Sequence, residues 1–175
     1  RTGVVHNPES NMMLASGVAP VTLMLEKNLE TGLGTDGPAG SNNNLDMFEE
    51  MGSAARLQKV TRGDPRAISA PDVLRMATLG GAEVLGLDDR IGSIEVGKRA
   101  DLIVVDLSGP DIQPVYSVES ARVYAANGAD VTHTIVDGKI LMRNRELLTL
   151  DLDEILEAAR RYRMKVTEIV NDPGE

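Results

Sequence analysis

The sequence predicts an α/β fold, with two strand and helix units followed by a β-rich segment and a long terminal helix. Short apolar runs alternate with amphipathic segments over the first third of the chain, which is typical of strands in a parallel sheet. Two later apolar runs flank Asp137-Gly138, a strong signal for a two-residue hairpin. Residues 152–170 repeat apolar side chains at helical spacing, which indicates an amphipathic helix.

The first unit begins almost at the start of the chain. Residues 3–6 form an apolar strand candidate that stops at Asn7-Pro8, because proline lacks the backbone donor that a central strand needs. We expect a loop over residues 9–17 and then a helix that starts at Pro20 and fades near Asn28. The next strand contains Leu33 and ends at Asp36.

Helices dominate the middle of the chain. Apolar positions between residues 45 and 55 lie on one helical face, and Ser69 with Asp72 forms a capping-box pattern for the next helix. Gly80-Gly81 is expected to break that helix before a shorter one ends near Leu87.

The β-rich segment and the terminal helix complete the chain. We expect strands over residues 91–97, 102–105, 131–136 and 139–142, and a helix over residues 117–126. Asp151 and Glu154 form a cap pattern for the terminal helix, whose apolar residues lie on one helical stripe.

Composition restricts the possible functions. The chain has 175 residues, no cysteine and a formal net charge of -9, which disfavours binding to nucleic acid or to an anionic membrane. No apolar run reaches the roughly 20 residues that span a bilayer, so we expect a cytoplasmic protein. Since Arg1 leads directly into a strand candidate, we also expect the chain to be one part of a longer fold.

Several motifs in order resemble one family of enzymes. They are residues 6–11, 14–17, 32–37, 41–43, 45–51, 91–106 and 135–139. These segments resemble the amidohydrolase superfamily, most of all the 5-methylthioadenosine/S-adenosylhomocysteine deaminases and the related triazine hydrolases and guanine deaminases. The resemblance extends over nearly the whole chain but covers only the C-terminal part of a family member.

The resemblance implies a fold and a domain division. Residues 1–88 would be the last two βα units of a metal-dependent (β/α)8 TIM barrel, and residues 89–150 a small β-sandwich domain. Residues 151–175 would be a closing helix and tail. A whole barrel takes about 250 residues, so the N-terminal barrel portion would be a missing partner. Open barrel edges favour association, and we therefore expect a homo-oligomer.

Asp36 is the leading candidate for a functional residue. It follows a strand and is flanked by glycines, the position where α/β barrels place reactive groups. By resemblance it matches the last ligand of one divalent metal, usually zinc, and takes a proton from the metal-bound water. The chain has no His-x-His pair, so the other ligands would lie outside it. A plain turn residue in a glycine-rich loop is the alternative for Asp36.

Together with Asp36, three residues are candidates for contact with a substrate: His6, Ser41 and Asn42. His6 ends a strand at the same rim as Asp36, although it could equally be a structural histidine that anchors the Asn7-Pro8 turn. Ser41 and Asn42 offer hydroxyl and amide groups beside Asp36, and ordinary loop chemistry is their alternative role.

Other residues in the same region suggest structural roles. Glu49 and Glu50 are expected on a solvated or salt-bridged helix face. We expect the methionine pairs to fill the core because aromatic side chains are scarce; they are Met12, Met13, Met47 and Met51. A phosphate-binding loop over residues 32–37 is disfavoured, because the lysine of a P-loop is absent.

The resemblance therefore implies part of a metal-dependent hydrolase that acts on carbon–nitrogen bonds other than peptide bonds. By resemblance, the intact enzyme would deaminate a purine nucleoside-like small molecule with metal-activated water, and this chain alone would be inactive. One alternative is a triazine or guanine aminohydrolase. The other is a metal-free remnant that acts as a binding or structural module.

Overall fold

The computed structural model describes residues 2–171. The strands, in chain order, are β1 Val4–His6, β2 Thr31–Leu33, β3 Leu102–Val105, β4 Val131–Val136, β5 Lys139–Arg143 and β6 Glu146–Leu147. The α-helices are α1 Pro8–Met13, α2 Val21–Glu26, α3 Met47–Arg62, α4 Ala70–Arg75, α5 Gly81–Leu85, α6 Val118–Tyr124 and α7 Leu152–Asn171. A π-helical turn, Met76–Gly80, joins α4 to α5, and a 3₁₀ turn, Gly128–Asp130, precedes β4.

Strands β1 and β2 form a parallel pair, with α1 and α2 between them in the chain. The register places His6 beside Leu33, and the Gly34 N–H donates to the His6 carbonyl at 3.0 Å. The mixed α/β character and the strand, helix, strand order at the start of the chain are as predicted. The second strand ends at Leu33, so Asp36 lies in the loop beyond it.

Helix α1 replaces much of the loop predicted over residues 9–17, and that prediction was wrong. Pro8 occupies the first turn, where its fixed φ suits a helix and its missing N–H is not needed. Glu9 adds an acidic side chain to the same turn, which the helix dipole favours. The helix places Ser10 close to the loop that carries Asp36.

Helix α3 begins and ends at residues that the local chemistry explains. The Asp46 carboxylate accepts from the Phe48 N–H at 2.8 Å, and Gly63 ends the helix with a φ of 63°. Leu45 lies before this cap and is exposed, so it does not belong to the apolar helical face predicted for it. The Ser69 and Asp72 capping box of α4 is present as predicted.

Gly80-Gly81 does not break the helical run, which corrects the prediction. The chain passes from α4 through the π-helical turn into α5 and ends at Gly86, with a φ of 66°. The glycines allow the backbones to come close together, because a Cβ on Gly80 would stand 2.5 Å from the Thr31 carbonyl oxygen. Gly80 therefore serves packing against β2 rather than helix termination.

The antiparallel sheet has the strand order β3-β4-β5-β6. Asp137 and Gly138 join β4 to β5 with φ values of 51° and 76°, which confirms the predicted hairpin and its turn chemistry. Residues 91–97 form turns and bends instead of the predicted strand. The positive φ values of Gly92 and Gly97, 90° and 96°, are incompatible with an extended run there.

The hydrophobic core joins the helices to β2. Its buried members come chiefly from α3, α4 and α6; they include Val21, Leu33, Phe48, Met51, Ala54, Ala55, Val73, Met76, Ala121 and Val123. Met51 fills the core as predicted and Met47 packs against it. Met12 and Met13 are exposed, so the prediction was wrong for that pair, because the short α1 turns them outward.

Helix α7 begins at Leu152 as predicted and ends at Asn171, one residue beyond the predicted end, and the Asp151 carboxylate accepts from the Glu154 N–H at 3.0 Å. None of its residues is buried, so its apolar stripe does not face a partner surface among residues 2–171. The predicted tail, residues 172–175, lies outside the described residues. Within residues 2–171 no helix has the length and apolar character needed to cross a membrane.

Candidate functional site

Asp36 lies in the loop after β2 with an exposed side chain and a φ of 61°. A left-handed conformation is uncommon for a residue with a Cβ, although aspartate tolerates it better than most. Such an outlier persists where the surroundings fix it, and it is often found at functional sites. The conformation identifies Asp36 as a constrained loop residue.

Two donors hold the Asp36 carboxylate. The Ser10 hydroxyl donates to Oδ2 at 2.8 Å, and the Gly37 N–H donates to Oδ1 at 2.8 Å. Hydrogen bonds from Ser10 and then from the Gly37 amide lower the pKa of Asp36 below its ordinary value. Each carboxylate oxygen has a further lone pair, so the group can still accept a proton or bind a cation.

The loop after Asp36 brings Ser41 and Asn42 to the same region. The Ser41 hydroxyl donates to the Gly37 carbonyl at 2.9 Å. Asn42 is buried, and its Oδ1 accepts from the N–H groups of Asn44 and Leu45 at 3.1 Å and 3.2 Å. These bonds are typical of a self-supporting loop. The side chain of Asn42 is thus engaged within the protein.

Glu50 is the residue whose importance the sequence did not reveal. It is fully buried in the first turn of α3, so the predicted solvated position was wrong for it. Its Oε1 accepts from Asn42 Nδ2 at 2.6 Å, and its Oε2 accepts from the Glu9 N–H at 3.3 Å. Burial raises the pKa of Glu50 to about 7 despite these bonds. Glu49 is exposed, as predicted, and accepts from Asn44.

His6 is buried at the end of β1. Neither ring nitrogen has a hydrogen-bond partner among residues 2–171, so the ring does not anchor the Asn7-Pro8 turn there and does not bond to Asp36. Burial lowers the pKa of His6 to about 4. The ring is therefore neutral at physiological pH.

The donor set can be compared with the needs of a divalent metal. A catalytic zinc site usually has three protein ligands and a water. No group of three histidine, cysteine, aspartate or glutamate side chains within residues 2–171 could hold a metal ion. Asp36 fits the role of one ligand, because its carboxylate is exposed and favours the ionised form. A complete set would need ligands from elsewhere.

Comparison with known proteins identifies the family. Residues 1–141 match the amidohydrolase family. The chain belongs to this family.

Relatives in the amidohydrolase family carry the names of deaminases. The chain is 52% identical over 168 residues to a 5-methylthioadenosine/S-adenosylhomocysteine deaminase of Desulforudis audaxviator, covering 96% of the chain and 39% of the relative. It is 54% identical over 157 residues to a 5'-deoxyadenosine deaminase of Methanosarcina acetivorans, covering 90% and 36%. The chain thus spans less than two fifths of the length of these relatives.

A solved structure in the family shows the same arrangement of elements. It is an adenosine deaminase from Xanthomonas campestris with bound zinc, and it matches with a TM-score of 0.91 and 46% sequence identity. The match covers 95% of this chain and 38% of the solved chain. The likeness to the deaminase group, predicted from the motifs, is therefore confirmed. The relatives are hydrolases that act on carbon–nitrogen bonds.

Proposed function

We propose that this chain is the C-terminal part of a metal-dependent amidohydrolase that hydrolytically deaminates a purine nucleoside-like substrate. The substrate class follows from the names of the relatives, which are deaminases of 5-methylthioadenosine, S-adenosylhomocysteine and 5'-deoxyadenosine. Identity near one half over nine tenths of the chain supports a shared activity of the intact proteins. The chain alone lacks a complete ligand set among residues 2–171 and is inactive in this proposal.

The proposal includes the domain division expected from the sequence. Residues 1–88, with the parallel pair β1 and β2, belong to the end of a (β/α)8 barrel. Residues 89–150 contain the antiparallel sheet and form part of a β-sandwich. Residues 151–175 supply the closing helix and the tail. The remaining barrel portion is the essential partner, and a homo-oligomer is the proposed assembly.

The geometry of Asp36 is the observation that carries the proposal. Its carboxylate is exposed beyond the C-terminal end of a parallel strand, where barrel enzymes place their reactive groups. Ser10 holds it from the preceding strand and helix unit, so the site already joins two units of the fold. We assign Asp36 as a metal ligand and as the proton-accepting carboxylate.

The two hydrogen bonds favour the ligand role of Asp36. A carboxylate whose pKa is lowered by Ser10 and Gly37 stays ionised near neutral pH, as a ligand must. A divalent metal supplies activation of water, whose pKa it lowers to about 7 when bound. The free lone pairs of Oδ1 and Oδ2 are available to a cation or to a proton.

The remaining candidates contribute to the substrate pocket in different ways. Ser41 lies on the loop next to Asp36, and its hydroxyl oxygen can accept a further hydrogen bond from a polar substrate. His6 is a buried, neutral ring at the end of β1 whose nitrogen atoms have no partner among residues 2–171, and in this proposal a substrate group or a neighbouring carboxylate of the intact enzyme pairs with it. Asn42 shapes the pocket through the loop that its side chain holds.

A chimeric enzyme tests the proposal. The chain replaces the matching segment of the Desulforudis audaxviator enzyme, and the product is assayed for bound zinc and for ammonia release from 5-methylthioadenosine, S-adenosylhomocysteine and adenosine. The key variant is Asp36→Asn, because asparagine tolerates a positive φ but loses the charge. Asp89→Asn is the matched control, since it removes the same charge from an exposed turn.

We expect about one zinc and measurable ammonia release for the chimera and for Asp89→Asn. Asp36→Asn should lose more than the 10- to 100-fold in activity or affinity that second-shell changes typically cost. A folded, zinc-loaded chimera that releases no ammonia would refute deamination. Retention of zinc and activity by Asp36→Asn would refute the ligand assignment. Stoichiometric zinc and deamination by the isolated chain would show that the chain is complete by itself.

A further inference from the structure

A closed ring of contacts links Asp36 to the buried Glu50. On one side, the Glu9 N–H donates to Glu50 Oε2 at 3.3 Å, and the next residue, Ser10, donates to Asp36 Oδ2 at 2.8 Å. This arm passes through α1. It therefore connects Glu50, in the first turn of α3, with Oδ2 of the exposed Asp36 carboxylate.

The second arm passes through the loop after Asp36. Asn42 Nδ2 donates to Glu50 Oε1 at 2.6 Å, while the Asn42 N–H donates to the Gly37 carbonyl at 3.2 Å. The Gly37 N–H in turn donates to Asp36 Oδ1 at 2.8 Å. Each oxygen of Asp36 is thus connected to a different oxygen of Glu50, one through α1 and one through the loop.

The burial of Glu50 carries a free-energy cost. A buried carboxyl group loses its hydration, and this loss is tolerated when hydrogen bonds replace water. The charged groups that act on Glu50 are Glu9 of α1 and Glu49 of its own helix, both acidic, so neither offsets the cost with an opposite charge. Ser53 ties α1 to α3 a second time, because its hydroxyl donates to the Glu9 carboxylate.

We propose that Glu50 is a positioning residue that holds α1 and the loop of residues 37–46 so that the Asp36 carboxylate keeps its orientation. This role rests on the proposed function of Asp36. Glu50 acts through Asn42, Glu9 and their neighbours, and it does not itself reach the exposed face. An acceptor with two oxygen atoms suits the task, since each oxygen takes one donor from a different segment.

Hydrogen exchange of the 175-residue chain tests the inference without any need for metal or activity. Glu50→Leu replaces the carboxylate with an apolar side chain of similar size and leaves Asn42 Nδ2 and the Glu9 N–H without their acceptor. We expect the amides of residues 7–14 and 37–46 to exchange about tenfold faster or more, with the β4-β5 hairpin unchanged. Glu49→Leu, from the same turn but exposed, should leave residues 7–14 unchanged.

Glu50→Gln provides a conservative rescue. Its amide keeps one acceptor oxygen, so one of the two segments should recover slow exchange while the other does not. Unchanged exchange of residues 37–46 in a folded Glu50→Leu chain would overturn the proposal. Faster exchange of all amides in Glu50→Leu, including those of the β4-β5 hairpin, would mean that the variant has lost overall stability. In that case Asn42→Ala is the variant that tests the proposal. It removes the loop arm and also the acceptor of the Asn44 and Leu45 N–H groups, so the test is faster exchange in residues 37–43 without a change in residues 7–14.

The chimeric enzyme adds a functional readout that keeps the two proposals distinguishable. Glu50→Leu should lower kcat by about 10- to 100-fold with a smaller change in KM, because the carboxylate is misplaced rather than removed. If exchange changes as expected but the chimera never deaminates, the proposed function fails and the structural link from Glu50 to Asp36 stands. If the chimera is active and Glu50→Leu has the kcat of the unmodified chimera, the positioning role fails.

Discussion

The Ser10 hydroxyl donates to Asp36 Oδ2 at 2.8 Å across 26 residues of sequence. Ser10 lies on α1, directly after β1, whereas Asp36 lies on the loop after β2. The bond therefore joins the C-terminal ends of two neighbouring parallel strands, the edge where α/β folds bind ligands. It also means that the exposed carboxylate is oriented before any ligand arrives.

Ser10→Ala tests the contribution of this bond. The folded-state pKa of Asp36 is lowered, so the ionised carboxylate stabilises the fold above its unfolded pKa, and this stability is lost as pH falls through the folded pKa. Ser10→Ala should raise the pKa of Asp36 and reduce stability near pH 7. The two proteins should converge at the acidic end. Urea unfolding between pH 2 and pH 7 measures the difference in the free energy of unfolding between the two proteins. A difference that is the same at every pH would contradict a bond from Ser10 to the ionised Asp36.

Glu50→Gln tests the opposite linkage. Burial raises the pKa of Glu50 from 4.5 to about 7, so the folded chain holds a proton that the unfolded chain releases. Stability from this group is therefore fully present below about pH 4.5 and is lost as pH rises through about 7. From pH 5 to pH 8 the chain should lose about 1 to 3 kcal/mol relative to Glu50→Gln. Urea unfolding measures this slope, and Glu49→Gln should retain it.

The sequence contained a signal for the burial of Glu50. Residues 51, 54, 55 and 58 are the helical spacing of a buried face, and Glu50 lies four residues before Ala54 and eight before Gln58. The polar character of Glu50 hid its place on that face. What the sequence could not supply was the partner, because Glu9 and Asn42 approach only when α1 and the loop fold against α3.

Local chemistry determined the parts of the fold that were predicted well. The Ser69 and Asp72 cap and the Asp137-Gly138 turn depend on neighbouring residues alone. Contacts between distant segments determined the parts that were missed. The pair Gly80-Gly81 resembles a helix terminator in the sequence, but its role depends on the approach of Thr31. The apolar stripe of α7 was found from spacing, whereas the surface it would meet is not encoded locally.

His6→Leu tests the cost of the buried ring. The folded-state pKa of His6 is lowered from 6.5 to about 4, so its contribution is present above pH 6.5 and is lost as pH falls toward 4. Leucine has no titratable nitrogen atoms, so the variant should lose less stability than the parent chain between pH 6.5 and pH 4.5. Over this pH range the free energy of unfolding of the parent chain should fall by about 1 to 3 kcal/mol more than that of His6→Leu. The pH dependence of thermal unfolding measures it, and parallel curves would show that the ring has the same protonation in both states.

Gly80 and Gly81 provide a matched pair for the close contact with β2. Alanine favours a helix interior by about 1 kcal/mol over glycine, so the two substitutions share the same intrinsic gain. At Gly80 the new Cβ would stand 2.5 Å from the Thr31 carbonyl oxygen and 3.1 Å from that of Arg75, and neither backbone atom can swing away. At Gly81 the nearest atom is the Met76 carbonyl oxygen at an ordinary 3.7 Å.

Gly80→Ala should therefore destabilise the chain by about 1 to 3 kcal/mol, since overpacking against fixed backbone outweighs the helical gain. Gly81→Ala should be neutral or stabilise by up to about 1 kcal/mol. Urea unfolding at one pH compares both with the parent chain. Equal changes in the free energy of unfolding would mean that a Cβ at position 80 does not come within 2.5 Å of the Thr31 carbonyl oxygen. Because β2 leads into the loop of Asp36, Gly80→Ala should also speed amide exchange in residues 34–37, whereas Gly81→Ala should not.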